Sequence, residues 1–147
     1  MVISIGADER LPVVEAALQY LSELGHTAVW HGPDPGGTDP WPAVARQVAE
    51  DVTGGAAEEG ILFCWTGTGV CMAANKVPGV RAALCVDAET ARGARLWNNA
   101  NIICLSMRLT SEPIVREILK TWFETGYRPN PTDDVRLDLL EQIDLKS

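Results

Sequence analysis

The sequence contains no Cys-x-x-Cys pair, no cluster of lysines and arginines, and no apolar run approaching the ~20 residues that cross a bilayer. Its four cysteines, Cys64, Cys71, Cys85 and Cys104, sit inside apolar stretches, which argues against both a zinc site and a disulfide framework. Free thiols in a reducing cytosol is the simpler reading, so a cytoplasmic chain is expected. Twelve basic residues stand against twenty acidic ones, for a net charge of -8. With no basic patch to relieve that balance, neither a nucleic-acid backbone nor an anionic membrane is an expected partner. The opening MVISIGADER lacks a basic segment followed by a long apolar one, so no signal peptide is read. Internal repeats and low-complexity tracts are absent too. What remains is 147 residues, 46% hydrophobic and 22% charged, an ordinary composition for one globular domain over residues 1–147.

Strand-like and helix-like segments alternate along that length. Val2 to Ile5 is a short β-branched run closed by Gly6. From Pro12 to Leu24 the apolar residues Val13, Val14, Ala17, Leu18 and Leu21 recur at helical spacing, and Gly25 suits the position just past a helix end. Thr27 to Trp30 reads as a second strand. Three prolines and three glycines between Gly32 and Pro40 demand a loop. Further strands are expected over Gly60–Cys64, Val80–Val86 and Asn101–Leu105. Further helices are expected over Trp41–Val52, Val70–Asn75, Ala88–Leu96, Glu112–Glu124 and residues 132–144. Ser111 and Pro113 are start signals for the helix that opens at Glu112. The unbroken apolar run to Cys64 matches a central parallel strand covered on both faces. Strand–helix alternation repeated five times predicts a single-domain, Rossmann-like three-layer α/β sandwich with a five-stranded parallel sheet. Ligands of such sheets bind beyond the carboxyl ends of the strands, here the segments after Ile5, Trp30, Cys64, Val86 and Leu105.

One of those segments carries most of the chemical signal. In Gly60-Ile-Leu-Phe-Cys-Trp-Thr-Gly-Thr-Gly-Val-Cys-Met-Ala-Ala-Asn-Lys76 a buried strand ends at Cys64, Gly67 and Gly69 permit close backbone approach, and a helix begins. That order presents consecutive N–H groups and a helix N-terminus to a negatively charged oxygen. The spacing is neither that of a P-loop nor that of a dinucleotide fingerprint, whose third glycine is Met72 here. Read alone, the segment is either an oxyanion cradle or a tight strand-to-helix turn that binds nothing.

The same stretch resembles the strand–loop–helix of the ribose-5-phosphate isomerase B and galactose-6-phosphate isomerase family, typically G-I-L-x-C-G-T-G-x-G-x-x-x-A-A-N-K. The likeness continues through Gly79-Val80-Arg81-Ala82-Ala83, Ala91-Arg92 and Asn98-Asn99-Ala100-Asn101, and includes Ile5-Gly6-Ala7-Asp8 and Leu24-Gly25-His26. It is dense from residue 60 to 105 and thins at both ends. The resemblance implies interconversion of an aldose and a ketose through a cis-enediolate, with no metal and no cofactor. It implies Cys64 as the base, Thr66 as the hydroxyl that orients the thiol or a sugar oxygen, and Gly67, Thr68 and Gly69 as the loop that holds the oxyanion. A thiol of ordinary pKa, about 8.5, is mostly protonated at neutral pH, so such a site must favour the thiolate. Asp8 would accept hydrogen bonds from sugar hydroxyls, or else cap the first helix. Asn98 would help hold the enediolate, or else cap a helix end. Cys64 outside this motif would read as an inert core thiol.

Departures from the family pattern fall on the site. Glu9 stands where the family has a histidine after the aspartate, and Trp65 replaces the glycine after the cysteine. Trp97 replaces the histidine that shuttles a proton during ring opening, and an indole N–H can only donate. Trp41 stands in for a family tyrosine. The terminal arginine segment that grips phosphate reads Pro129-Asn130-Pro131-Thr132-Asp133-Asp134, with Arg128 and Arg136 nearby. Drift in a protein that has given up catalysis would explain these changes. So would a different ligand: Asp133 and Asp134 would repel a phosphate, and Trp41, Trp65 and Trp97 at three pocket positions suit an unphosphorylated or modified sugar, or a related small carbonyl compound, rather than ribose 5-phosphate. Two functions therefore compete: an isomerase with an altered substrate, and a non-catalytic ligand-binding or partner subunit. The resemblance also implies at least a homodimer, extending to a tetramer or a hetero-oligomer with a homologue. Val135, Leu139, Leu140 and Ile143 form an apolar face on the last helix suited to that contact.

Overall fold

A computed structural model of the chain describes residues 1–145. The β-branched and apolar runs form five strands: β1 (Val2–Ala7), β2 (Thr27–His31), β3 (Glu59–Cys64), β4 (Ala82–Leu84) and β5 (Ile102–Ser106). Between and after them lie α1 (Pro12–Glu23), α2 (Trp41–Thr53), α3 (Thr68–Asn75), α4 (Ala88–Asn98), α5 (Glu112–Glu124) and α6 (Pro131–Leu145). All strand pairs are parallel, in the order β2-β1-β3-β5-β4. The expected three-layer α/β sandwich is the fold observed.

Alternation along β3 divides the core. Ile61 and Phe63 face one layer, with Val14, Leu21, Val115, Ile118 and Trp122 of α1 and α5. Leu62 and Cys64 face the other, with Val44 and Val48 of α2 and Val70 and Ala74 of α3. Every residue of β3 is buried, as a strand sandwiched between helical layers must be. The one carboxylate on this strand, Glu59, is buried and answered on both oxygens. Arg95 Nη2 donates to its Oε1 at 2.7 Å and Trp122 Nε1 to its Oε2 at 2.8 Å.

Most element ends fall one or two residues from the sequence reading. The strand expected over Val80–Val86 is paired only at Ala82–Leu84. It is an edge strand with one neighbour, and Asp87 already caps α4 by accepting from Thr90 N at 2.7 Å, which turns the chain away. α3 starts at Thr68 rather than Val70, because Gly67 makes the whole turn in one left-handed residue, φ 78°. α6 extends one residue beyond the expected 132–144 at each end. Among the described residues no helix is long and apolar enough to cross a membrane.

Candidate active site

The strand order marks the edge where ligands of such sheets bind. From β1 the chain crosses to β2 on one side, and β3 then pairs on the other, so β1 and β3 flank the switch point where connections diverge. α1 leaves β1 toward one layer and α3 leaves β3 toward the other. Ala7 is in register with Phe63, which brings Asp8 level with Cys64 at the carboxyl edge. The residues singled out at the ends of these two strands thus stand side by side at that edge.

Cys64 is the last residue of β3 and only 5% exposed. The loop after it is pinned to the one after β5. Met107 N donates to Cys64 O at 3.0 Å, Arg108 N to Trp65 O at 3.0 Å, and Ser106 Oγ to Trp65 O at 2.9 Å. Gly67 is packed so closely that an added Cβ would lie 2.9 Å from the Leu105 carbonyl carbon. Among the described residues no side chain caps α3, which leaves its first N–H groups without a capping partner. The Thr66 and Thr68 hydroxyls bond each other at 2.8 Å, and the Trp41 indole lies against Gly69. These are the parts of an oxyanion cradle: open amides, a helix N-terminus and a thiol beside them.

Asp8 does not cap α1. The N-cap is Leu11, with no side-chain bond, and Asp8 instead holds a buried Oδ1 that has no hydrogen-bond partner among the described residues. Burial, followed by the nearby Glu9 carboxylate among the raising influences, pushes the Asp8 carboxyl above its ordinary range. Its backbone oxygen accepts from Asp39 N at 3.0 Å, which ties the glycine- and proline-rich loop over this edge. Glu9 is half-buried beside it.

Trp97 and Asn98 lie elsewhere on the chain. Asn98 is the last residue of α4, and the cap position belongs to Asn99, at φ 48°, so the capping role considered for Asn98 is not the one it plays. Both side chains open onto a groove of about 640 Å³ shared with Asn130, Thr132, Asp133 and Arg136. Trp97 is 52% exposed and lies against Gly93, with the Arg92 guanidinium 5.5 Å from its ring centre. Trp65 is also exposed, and none of the three indoles stacks on another among the described residues. A single chain therefore does not wall one pocket with all three, since they project from the start of α2, the β3 loop and the end of α4. The aspartates at the start of α6 are engaged locally: Asp134 accepts from Tyr127 Oη, and Asp133 accepts from Asn130 Nδ2 at 2.8 Å.

Two residues have placements that the motif alone did not give. Asn75, in the Ala-Ala-Asn-Lys run, ties α3 to the sheet edge: Nδ2 donates to Ala82 O at 2.9 Å and Oδ1 accepts from Ala82 N at 2.8 Å. Arg108 sits at the rim of the Cys64 loop, exposed, and its guanidinium makes no ion pair among the described residues. Its signal was its place just past the fifth strand's carboxyl end.

A parallel α/β sheet with an open-amide loop and a thiol at its switch point is the architecture of a small-molecule site for an anionic oxygen. The family model Ribose/Galactose Isomerase matches residues 3–140. The galactose-6-phosphate isomerase subunit LacB of Clostridium acetobutylicum is 38% identical over 130 residues, 88% of this chain and 75% of that protein. The D-erythrulose-4-phosphate isomerase of Pectobacterium atrosepticum is 38% identical over 127 residues, 85% of this chain and 84% of its own. Ribose-5-phosphate isomerase B of Clostridium thermocellum superposes with a TM-score of 0.95 at 31% identity, covering 99% of each chain. The chain belongs to the ribose/galactose isomerase family and is an aldose–ketose isomerase-like protein.

Proposed function

We propose that this chain is an active aldose–ketose isomerase in which Cys64 removes the proton next to the substrate carbonyl. The observation that carries the proposal is the placement of the Cys64 thiol at the switch point, followed at once by left-handed Gly67 and the uncapped start of α3. Open amides there would stabilise the enediolate oxygen as charge develops on it. Thr66 would orient the thiol or a sugar oxygen, Thr68 and Gly69 would complete the cradle, and Asp8 and Glu9 would receive hydroxyls. Trp41 and Trp65 would pack on the substrate's C–H faces. Trp97 and Asn98 would act on the site of a neighbouring copy in a homodimer or larger assembly. The exposed Val135, Leu139, Leu140 and Ile143 on α6 support such an assembly, which sedimentation would test. Four free cysteines support a reducing, cytoplasmic setting.

The substrate we propose is a short sugar phosphate. D-Erythrulose 4-phosphate, for which the Pectobacterium relative is named, has no free hydroxyl placed to close a five-membered ring. It needs no ring-opening proton shuttle, and Trp97 stands where the family resemblance expects one. The unpaired Arg108 guanidinium would receive the phosphate. Ribose 5-phosphate closes to a furanose and is expected to turn over poorly. Solvent-deuterium incorporation into the two sugar phosphates, in the parent and in Cys64→Ala, tests both points. The variant is expected to fold and to lose about 10²–10⁴-fold in exchange. Equal exchange in the variant would remove Cys64 as base, and robust turnover of ribose 5-phosphate would remove the substrate reading. Absence of exchange with any sugar phosphate would favour a non-catalytic partner subunit, a reading supported by the Clostridium acetobutylicum relative being named a subunit.

A further inference from the structure

The fold answers its other sheltered carboxylates. Asp51 Oδ2 accepts from Ser4 Oγ at 2.8 Å and from His31 Nε2 at 2.6 Å, and Glu59 is bonded on both oxygens. Asp8 differs. Its Oδ1 is the one buried side-chain oxygen or nitrogen without a hydrogen-bond partner among the described residues. A dry, unpaired oxygen costs stability, so a fold keeps one where a ligand or a reaction uses it. Its place fits such a use. Ala7 pairs in register with Phe63, so Asp8 stands beside Cys64. Asp8 O accepts from Asp39 N at 3.0 Å, and two residues further on the Trp41 indole lies against Gly69, in the first turn of α3. The carboxyl therefore belongs to the same end of the sheet as the thiol and the cradle. Burial raises it above the ordinary range, so it keeps a proton more readily than an exposed aspartate does.

Aldose–ketose interconversion moves two protons, and Cys64 accounts for one. From a ketose, the thiolate takes a proton from C1, the C–H pair becomes the C1=C2 bond, and the carbonyl π pair becomes charge on O2. The thiol then returns a proton to C2. Meanwhile O2 must gain a proton, and O1 must lose one as it becomes the aldehyde oxygen. The Thr66 and Thr68 hydroxyls bond each other at 2.8 Å, and hydroxyls of ordinary acidity are poor proton carriers at neutral pH. We propose that Asp8 carries this second proton between the two oxygens of the enediolate. As an acid it protonates O2 while charge develops there, and as the resulting carboxylate it takes the proton from O1. A cis-enediolate holds both oxygens on one side, within reach of one carboxyl. Thiolate and carboxylic acid are both restored, and no other reactant is consumed. The proposal rests on the isomerase reading and adds a second proton carrier to it.

The test follows D-erythrulose 4-phosphate and ribulose 5-phosphate with the full chain in deuterium oxide. Proton NMR reads deuteration at C1 of the ketose separately from appearance of the aldose. Asp8→Asn keeps the shape of the side chain but cannot carry a proton. In that variant isomerisation is expected to fall about 10²–10⁴-fold, while C1 deuteration falls less than about tenfold. Glu9→Gln, which alters the neighbouring half-buried carboxyl, should keep the parent's ratio of the two rates. Should Asp8→Asn fail to fold, Asp8→Ser takes its place. Equal falls in both rates would overturn the proposal and leave Asp8 a binding group. So would a separation of the rates in Glu9→Gln instead of the Asp8 variant. A parent that deuterates neither ketose would overturn the isomerase reading itself, and the proposal with it.

Discussion

Replacing Gly67 by alanine isolates how tightly the loop is built. Two costs are separable. The residue is left-handed, at φ 78°, where an L side chain costs about 1–2 kcal/mol. The added Cβ would also lie 2.7 Å from Leu84 Cδ1, 2.9 Å from Leu105 C and 3.1 Å from Leu105 O. Leu84 can rotate away, but the Leu105 backbone belongs to β5 and cannot, so overpacking adds about 1–3 kcal/mol. The expected destabilisation is roughly 2–5 kcal/mol. Gly25→Ala is the control: its φ is 80°, yet nothing lies within 4 Å of the added Cβ, so only the backbone cost applies. Urea unfolding of both variants at one fixed protein concentration should show Gly67→Ala less stable by about 1–3 kcal/mol with an unchanged m-value. Equal losses within about 0.5 kcal/mol would refute the claim that β5 is what presses on the loop.

Glu59→Ala leaves the Arg95 guanidinium without its carboxylate and the Trp122 indole N–H without its acceptor, and should cost about 3–5 kcal/mol in the same assay. A loss below about 1 kcal/mol would show that water takes the place of the carboxylate. Asp8→Asn should be more stable than the parent at neutral pH, by a margin that shrinks on acidification. Burial raises the folded carboxyl above its unfolded value, so the parent's stability is full below 3.8 and is lost as pH rises through the raised value. A margin that does not change with pH would mean that Asp8 is not desolvated.

Local pattern explains why so much of the fold was legible. Helical spacing and short unbroken apolar runs are local patterns, so Val13 to Leu21 and Ile61 to Phe63 announce helix and strand without reference to the rest of the chain. The edge strand was overestimated because Val80 to Val86 is apolar apart from Arg81, while only the stretch facing β5 finds a ladder partner. Asp8 and Asn98 each allowed a capping reading that a sequence could not reject. Capping depends on where the helix begins or ends to the residue, and Leu11 and Asn99 take those positions.

By itself, then, the sequence determined the class of the fold, the strand–loop–helix that ends β3 and the resemblance to a family, because these rest on neighbours in the chain. The tertiary structure alone decided which strand ends meet. Pairing β3 beside β1 brings Cys64 level with Asp8, although 55 positions separate them, and the pinning of the β5 loop delivers Arg108 to the rim. It also decided that Trp97 belongs to a different groove from Trp41, and that Gly67 must be glycine because Leu105 presses on it. Strand order and the packing of remote backbones are set by burial summed over the whole core, which no window of sequence contains.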